Sequence, residues 1–111
     1  MSVSPDGSVE LRRSVWDRYM SEPRKLGQLG HASAVKDRGR VEGWRLSGIK
    51  RGSLGHSLGL RTGDIVVQVN GRRAGAVPTL LAIRKELRRT DRVDVVVRRG
   101  GATVRLSVRL S

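Results

Sequence analysis

The side chains able to do covalent chemistry are few and poorly spaced for it. Ser53, His56 and Ser57 sit close together and Asp64 follows, so a hydrolytic serine–histidine–aspartate arrangement is the first reading to weigh. A Ser and a His this near each other on one short helix cannot place base, nucleophile and orienting acid as a triad requires. His31 and His56 are the two histidines, and with no Cys and no tight carboxylate cluster they do not make a metal site. Arg99-Gly100-Gly101 is glycine-rich, but no helix follows it to hold a phosphate, so it reads as a hairpin turn. The expectation is a protein with no catalytic residue, no metal and no cofactor.

What remains is binding chemistry, and charge is its most visible feature. Lys and Arg total 23 against 10 Asp and Glu, a formal net charge of +13. Such a balance attracts nucleic acid, anionic lipid or acidic protein surfaces. The basic residues are scattered along the chain, which reads as an Arg-rich solvated surface. Single-strand binders interleave aromatics with their cations to stack bases. This chain has two Trp, one Tyr and no Phe. Trp16 and Tyr19 fit a helical pattern, leaving Trp44 alone, so nucleic acid is not the expected partner.

The elements that must position any site come next. A chain of 111 residues suits one domain with a modest aliphatic core. No apolar run approaches the roughly 18–20 residues that cross a bilayer, and no signal-peptide pattern is present. Residues 1–8 read as a flexible lead-in. Val9 to Arg12 alternates as a short strand. Ser14 begins a helix carrying Val15, Trp16, Tyr19 and Met20, which Glu22-Pro23 ends. Residues 24–42 read as mostly extended or loop. Leu46 to Lys50 is a strand. Ser53 caps a short helix whose Leu54 and Leu58 form one edge, and Gly59 suits its C-terminus. Ile65 to Val69 is a β-branched strand ending in an Asn70-Gly71 turn. Pro78 opens a helix to about Arg89 with Leu80, Ile83 and Leu87 on one face. Val93, Val95 and Val97 alternate, and Val104, Leu106, Val108 and Leu110 alternate strictly with polar residues. Several antiparallel strands with two or three helices make the class α+β.

The order of motifs then carries a resemblance. Gly43-Trp44-Arg45-Leu46-Ser47-Gly48-Ile49-Lys50-Arg51-Gly52-Ser53-Leu54 is followed by Leu58-Gly59-Leu60-Arg61-Thr62-Gly63-Asp64-Ile65 and by Val69-Asn70-Gly71. This resembles the bacterial, permuted type of PDZ domain, a small antiparallel β-barrel or sandwich, over residues 41–110. Leu54 stands where PDZ domains of HtrA and site-2 proteases usually carry Pro or Ala. Ser47 to Leu54, with Leu11 to Val15 and Ser21 to Leu26 upstream, is more similar to the PDZ domain of protein C of the type II secretion system. The likeness runs over roughly residues 7–110. It implies residues 9–42 as an extension packed on a core of residues 43–111. It implies a periplasmic domain whose inner-membrane anchor lies outside this chain, with the membrane reached only through that anchor. It also implies secreted proteins or other secretion components as partners. A regulatory PDZ domain of a periplasmic protease and a basic nucleic-acid-binding domain are the alternatives.

The resemblance implies a mode of binding. A peptide or C-terminus adds as a strand to a sheet edge, its carboxylate held by backbone N–H groups. Gly43 permits the unusual backbone of the loop, Trp44 and Leu46 line the terminal pocket, and Leu46 to Lys50 form the receiving edge. The groove is then Gly43, Trp44, Arg45, Leu46, Ser47, Gly48, Ile49 and Lys50, faced by Leu80, Ile83 and Leu87. Arg45, Lys50 and Arg51 flank it and select acidic ligands or form a solvated edge that resists aggregation. Gly59, Gly63, Asp64 and Gly71 read as turn and cap positions.

Overall fold

A computed structural model describes residues 2–3, 8–21, 30–74 and 90–111. The helix expected over Pro78 to Arg89, with Leu80, Ile83 and Leu87, lies outside the described residues. The described elements run β1 (Ser2–Val3), β2 (Val9–Leu11), α1 (Arg13–Ser21), β3 (His31–Asp37), β4 (Arg40–Ser47) and α2 (Leu54–Ser57). They continue with β5 (Ile65–Val69), β6 (Arg72–Arg73), β7 (Arg92–Arg99) and β8 (Ala102–Leu110). The class is α+β, as the alternation implied.

The strictly alternating stretch becomes β8, which pairs antiparallel with β7 along its length. Residues directly opposite in neighbouring strands share a face, so Val93, Val95 and Val97 join Val104, Leu106 and Val108 on one side. That side is the core: Val97 is fully buried, and Val93, Val108 and Leu110 nearly so. Val9 and Leu11 of β2 extend it by pairing β8 in parallel. Trp16 from α1 and Leu54 and Leu58 from α2 close over it. The sheet is single and open, in the order β1-β2-β8-β7-β5-β4-β3, with β6 attached to β5. It is antiparallel apart from β2–β8, and its path does not return on itself as a barrel would.

Capping explains the short helix. The Ser53 hydroxyl accepts the His56 backbone N–H at 3.3 Å, and Gly59 follows with φ +98, where a side chain would be strained. Asn70 and Gly71 both take positive φ and turn β5 into β6. Arg38 and Gly39, at φ 51 and 78, do the same between β3 and β4.

Several boundaries differ from the sequence reading. Ser2–Val3, within the stretch read as a lead-in, pair with β2. The helix α1 starts at Arg13, so Ser14 lies inside its first turn and does not cap it. The stretch read as mostly extended or loop contains β3 and the start of β4, and β4 runs through residue 43. β4 ends at Ser47, because Gly48 takes φ +69 and leaves the sheet.

Candidate functional site

The site follows from which strand is left with an unpaired side. β4 pairs with β3 from Arg40 to Ser47 and, on its other side, with β5 at Trp44 and Arg45. Its backbone is therefore enclosed, and the receiving edge expected at Leu46 to Lys50 is not an edge. The last strand of the sheet is β3, which among the described residues has β4 as its sole strand partner. All of β3 except half-buried Val35 is exposed. An exposed edge strand offers a row of unpaired N–H and C=O groups for another strand to join.

The register places side chains around that edge. Ala32 lies opposite Leu46 and Ala34 opposite Trp44, and Trp44 continues through Val66 to the buried Val97. These residues share the core-side face of the sheet. The small Ala32 and Ala34 leave space there, with Leu46 and half-buried Trp44 behind them. The Trp44 indole N–H donates to the Ala74 carbonyl at 3.4 Å, which ties the ring to the chain after β6. Trp44 and Leu46 thus stand one strand behind the edge. Arg45 and Ser47 point to the opposite face with Ser33 and His31. Ile49 lies beyond β4, where its N–H donates to the Thr62 hydroxyl at 3.0 Å. Lys50 and Arg51 are exposed and also lie outside the strands.

Two glycines have different jobs from those expected. Gly43 is buried within β4 and belongs to no loop. A Cβ there would meet the Val66 carbonyl oxygen at 2.6 Å, so its role is to let β4 and β5 approach. Gly30, at the entry to β3, has φ +94 and would place a Cβ 2.8 Å from the Ser47 carbonyl oxygen. A side chain there is excluded twice, by conformation and by space. The β3 strand itself, His31-Ala32-Ser33-Ala34-Val35, is too small and polar to announce an edge.

Behind the edge, a charged anchor fixes the turn before β5. Asp64 is buried, and Arg99 donates to both its carboxylate oxygens, at 2.8 and 2.7 Å. The same guanidinium reaches the Gly59 carbonyl at 2.8 Å, and the Arg61 backbone N–H adds a bond to Asp64 at 2.9 Å. Burial acts to raise the Asp64 pKa, but the Arg99 and Arg61 hydrogen bonds and the Arg99 charge outweigh it and hold the carboxyl below its usual range. Bonds between Leu46 and the Gly63–Asp64 backbone, both 2.8 Å, dock the turn on β4. Gly59, Gly63 and Asp64 therefore act as architecture. Asp64 is thus engaged by Arg99 and the Ser53 hydroxyl by a helix cap, so these two do not form a serine–histidine–aspartate arrangement with His56. Among the described residues no three His, Cys, Asp or Glu converge on a metal position.

Comparison with known proteins places this arrangement. No family model matches the sequence, and no curated protein does. Solved structures do match. The chain is similar to the PDZ domain of EpsC from Vibrio cholerae, at 23% identity and TM-score 0.66, over 86% of this chain and 91% of that one. It is similar to the PDZ domain of the pullulanase C protein of the type II secretion system from Klebsiella pneumoniae, solved with a fatty acid. There the identity is 21% and the TM-score 0.62, over 86% and 99% of the two chains. The HtrA-type protease AlgW with a decapeptide matches at 23% identity and TM-score 0.54, covering 73% of this chain and 27% of that one. The fold is that of a PDZ domain.

Proposed function

We propose that this PDZ fold is a peptide-binding module of a type II secretion system, the periplasmic part of an inner-membrane component. Its ligand is an extended segment of a secreted protein or of another secretion component, added as a strand to β3. The observation that carries the reading is the exposed β3 edge beside the open core-side face of Ala32 and Ala34, backed by Trp44 and Leu46. The likeness to EpsC and pullulanase C PDZ domains over 86% of this chain supports the secretion assignment. Among the described residues no helix is long and apolar enough to cross a membrane; in this proposal the membrane is reached only through an anchor outside this chain. Leu80, Ile83 and Leu87 are proposed as the opposite wall, and binding requires no cofactor.

The test is a panel of peptides and secreted substrate proteins titrated into the domain while Trp44 emission is read. Ligands should change the emission, and Ala34→Leu should weaken binding about tenfold by filling the open face, with stability changed by less than ~1 kcal/mol. Unchanged affinity in Ala34→Leu would remove β3 from the site. The protease-regulator reading is favoured by the AlgW match alone. A catalytic domain encoded in the same gene would establish it and displace the secretion assignment.

A further inference from the structure

The arginines that look scattered in the sequence are gathered by the sheet. Arg38 and Arg40 at the β3–β4 turn, Arg73 of β6 and Arg98 of β7 line one open depression of about 1020 Å³. Its floor includes half-buried Val41 and Val67. The concavity has a structural cause. Lys36 pairs with Val41 but Val35 with Gly43, so Glu42 is an extra residue in β4. Val66 pairs with Val97 but Gln68 with Val96, so Val67 is an extra residue in β5. Two bulges in adjacent strands bend the sheet and turn their side chains into the same depression.

Among the described residues the charge there is not neutralised. Four guanidiniums face two carboxylates, Asp37 and Glu42. Glu42 engages Arg98 at 3.5 Å, whereas Arg38, Arg40 and Arg73 are exposed and make no ion pair among the described residues. We infer that this depression binds an acidic segment of a partner protein, with carboxylates on the arginines and an apolar side chain on Val41 and Val67. Apart from Asp37 at the last position of β3 and the turn after it, the lining lies on β4 to β7, away from the His31 to Lys36 stretch offered for strand addition.

The lining favours a protein over other anions. A polyphosphate backbone would meet Asp37 and Glu42, and no aromatic side chain lines the depression to stack a base. Among the described residues a membrane surface finds no large apolar side chain to insert, with Val41 and Val67 the apolar part of the lining. A second copy of this chain, at a net charge of +13, would be repelled.

The test uses a short peptide of alternating glutamate and valine, acetylated and amidated so that no terminal carboxylate is offered. Backbone amide shifts should centre on residues 38–42, 67–68, 73 and 98, and affinity should fall as salt rises. Arg40→Glu with Arg73→Glu should weaken binding roughly tenfold or more, whereas the same charge change at exposed Arg12 and Arg18 should cost about twofold or less. Circular dichroism checks folding, and Arg40→Gln with Arg73→Gln replaces the reversal if it unfolds the chain. Equal losses in the two pairs, or shifts centred on residues 31–36, would overturn the inference. So would tighter binding of duplex DNA or phosphatidylglycerol vesicles at the same residues.

Discussion

The hairpins β3–β4 and β7–β8 are built alike and end up opposite in character. Each joins two long strands through two residues of positive φ, Arg38-Gly39 in one and Gly100-Gly101 in the other. β7–β8 pairs without interruption and buries Val93, Val97, Val108 and Leu110. β3–β4 is interrupted by a bulge and leaves most of β3 in solvent. One hairpin is the core of the sheet, and the other is its exposed edge. A strand that must accept a partner cannot be covered by its own chain, so the edge lacks the burial that stabilises its counterpart.

Stability should divide along that line. Val97→Ala empties a fully buried position and should cost about 2 kcal/mol in urea unfolding. Val35→Ala, at the half-buried position of β3, should cost about 0.5 kcal/mol or less. Comparable losses would mean that β3 is as integral to the folded state as β7, and the contrast would fail.

The Asp64–Arg99 pair links the two hairpins, since Asp64 docks on β4 and Arg99 is on β7. Its lowered pKa means that the unfolded chain takes up the proton first as pH falls. Its stabilisation is therefore present above the ordinary aspartate range and is lost as pH drops through the lower folded value, below roughly pH 4. Asp94 adds in the same direction: its hydrogen bond from Ser107 and its Arg92 partner outweigh the opposing effect of burial. Asp64→Asn should destabilise by about 2 kcal/mol at neutral pH and flatten the acid limb of a stability–pH profile. A profile of unchanged steepness would show that the pair does not carry this linkage.

The same contrast explains what the sequence made legible. β8 and the β5 strand were readable because burial on one face imposes alternation or a β-branched run. Ser53, Gly59 and Asn70-Gly71 were readable because caps and turns restrict residue type. The edge was not, because exposed Ala32 and Ala34 obey no pattern and Arg38 is an unexpected residue for positive φ. That β4, expected as a free edge at Leu46, is paired on both sides was not legible, since pairing order is a tertiary fact. Glu42 and Val67 as bulges were equally invisible, because a bulge appears only against its partner strand. Arg38→Asn tests the smallest part of this account. Asn tolerates the left-handed conformation better and should stabilise by about 0.5 kcal/mol, whereas a loss would mean that the Arg38 side chain supports the fold.

The most direct measurement is amide hydrogen exchange and chemical shift along the chain with and without a bound peptide. Strand addition at β3 predicts new protection and the largest shifts within His31 to Asp37, with β7 and β8 unchanged. Protection that appears elsewhere while His31 to Asp37 stays open would contradict the assignment of β3 as the receiving edge.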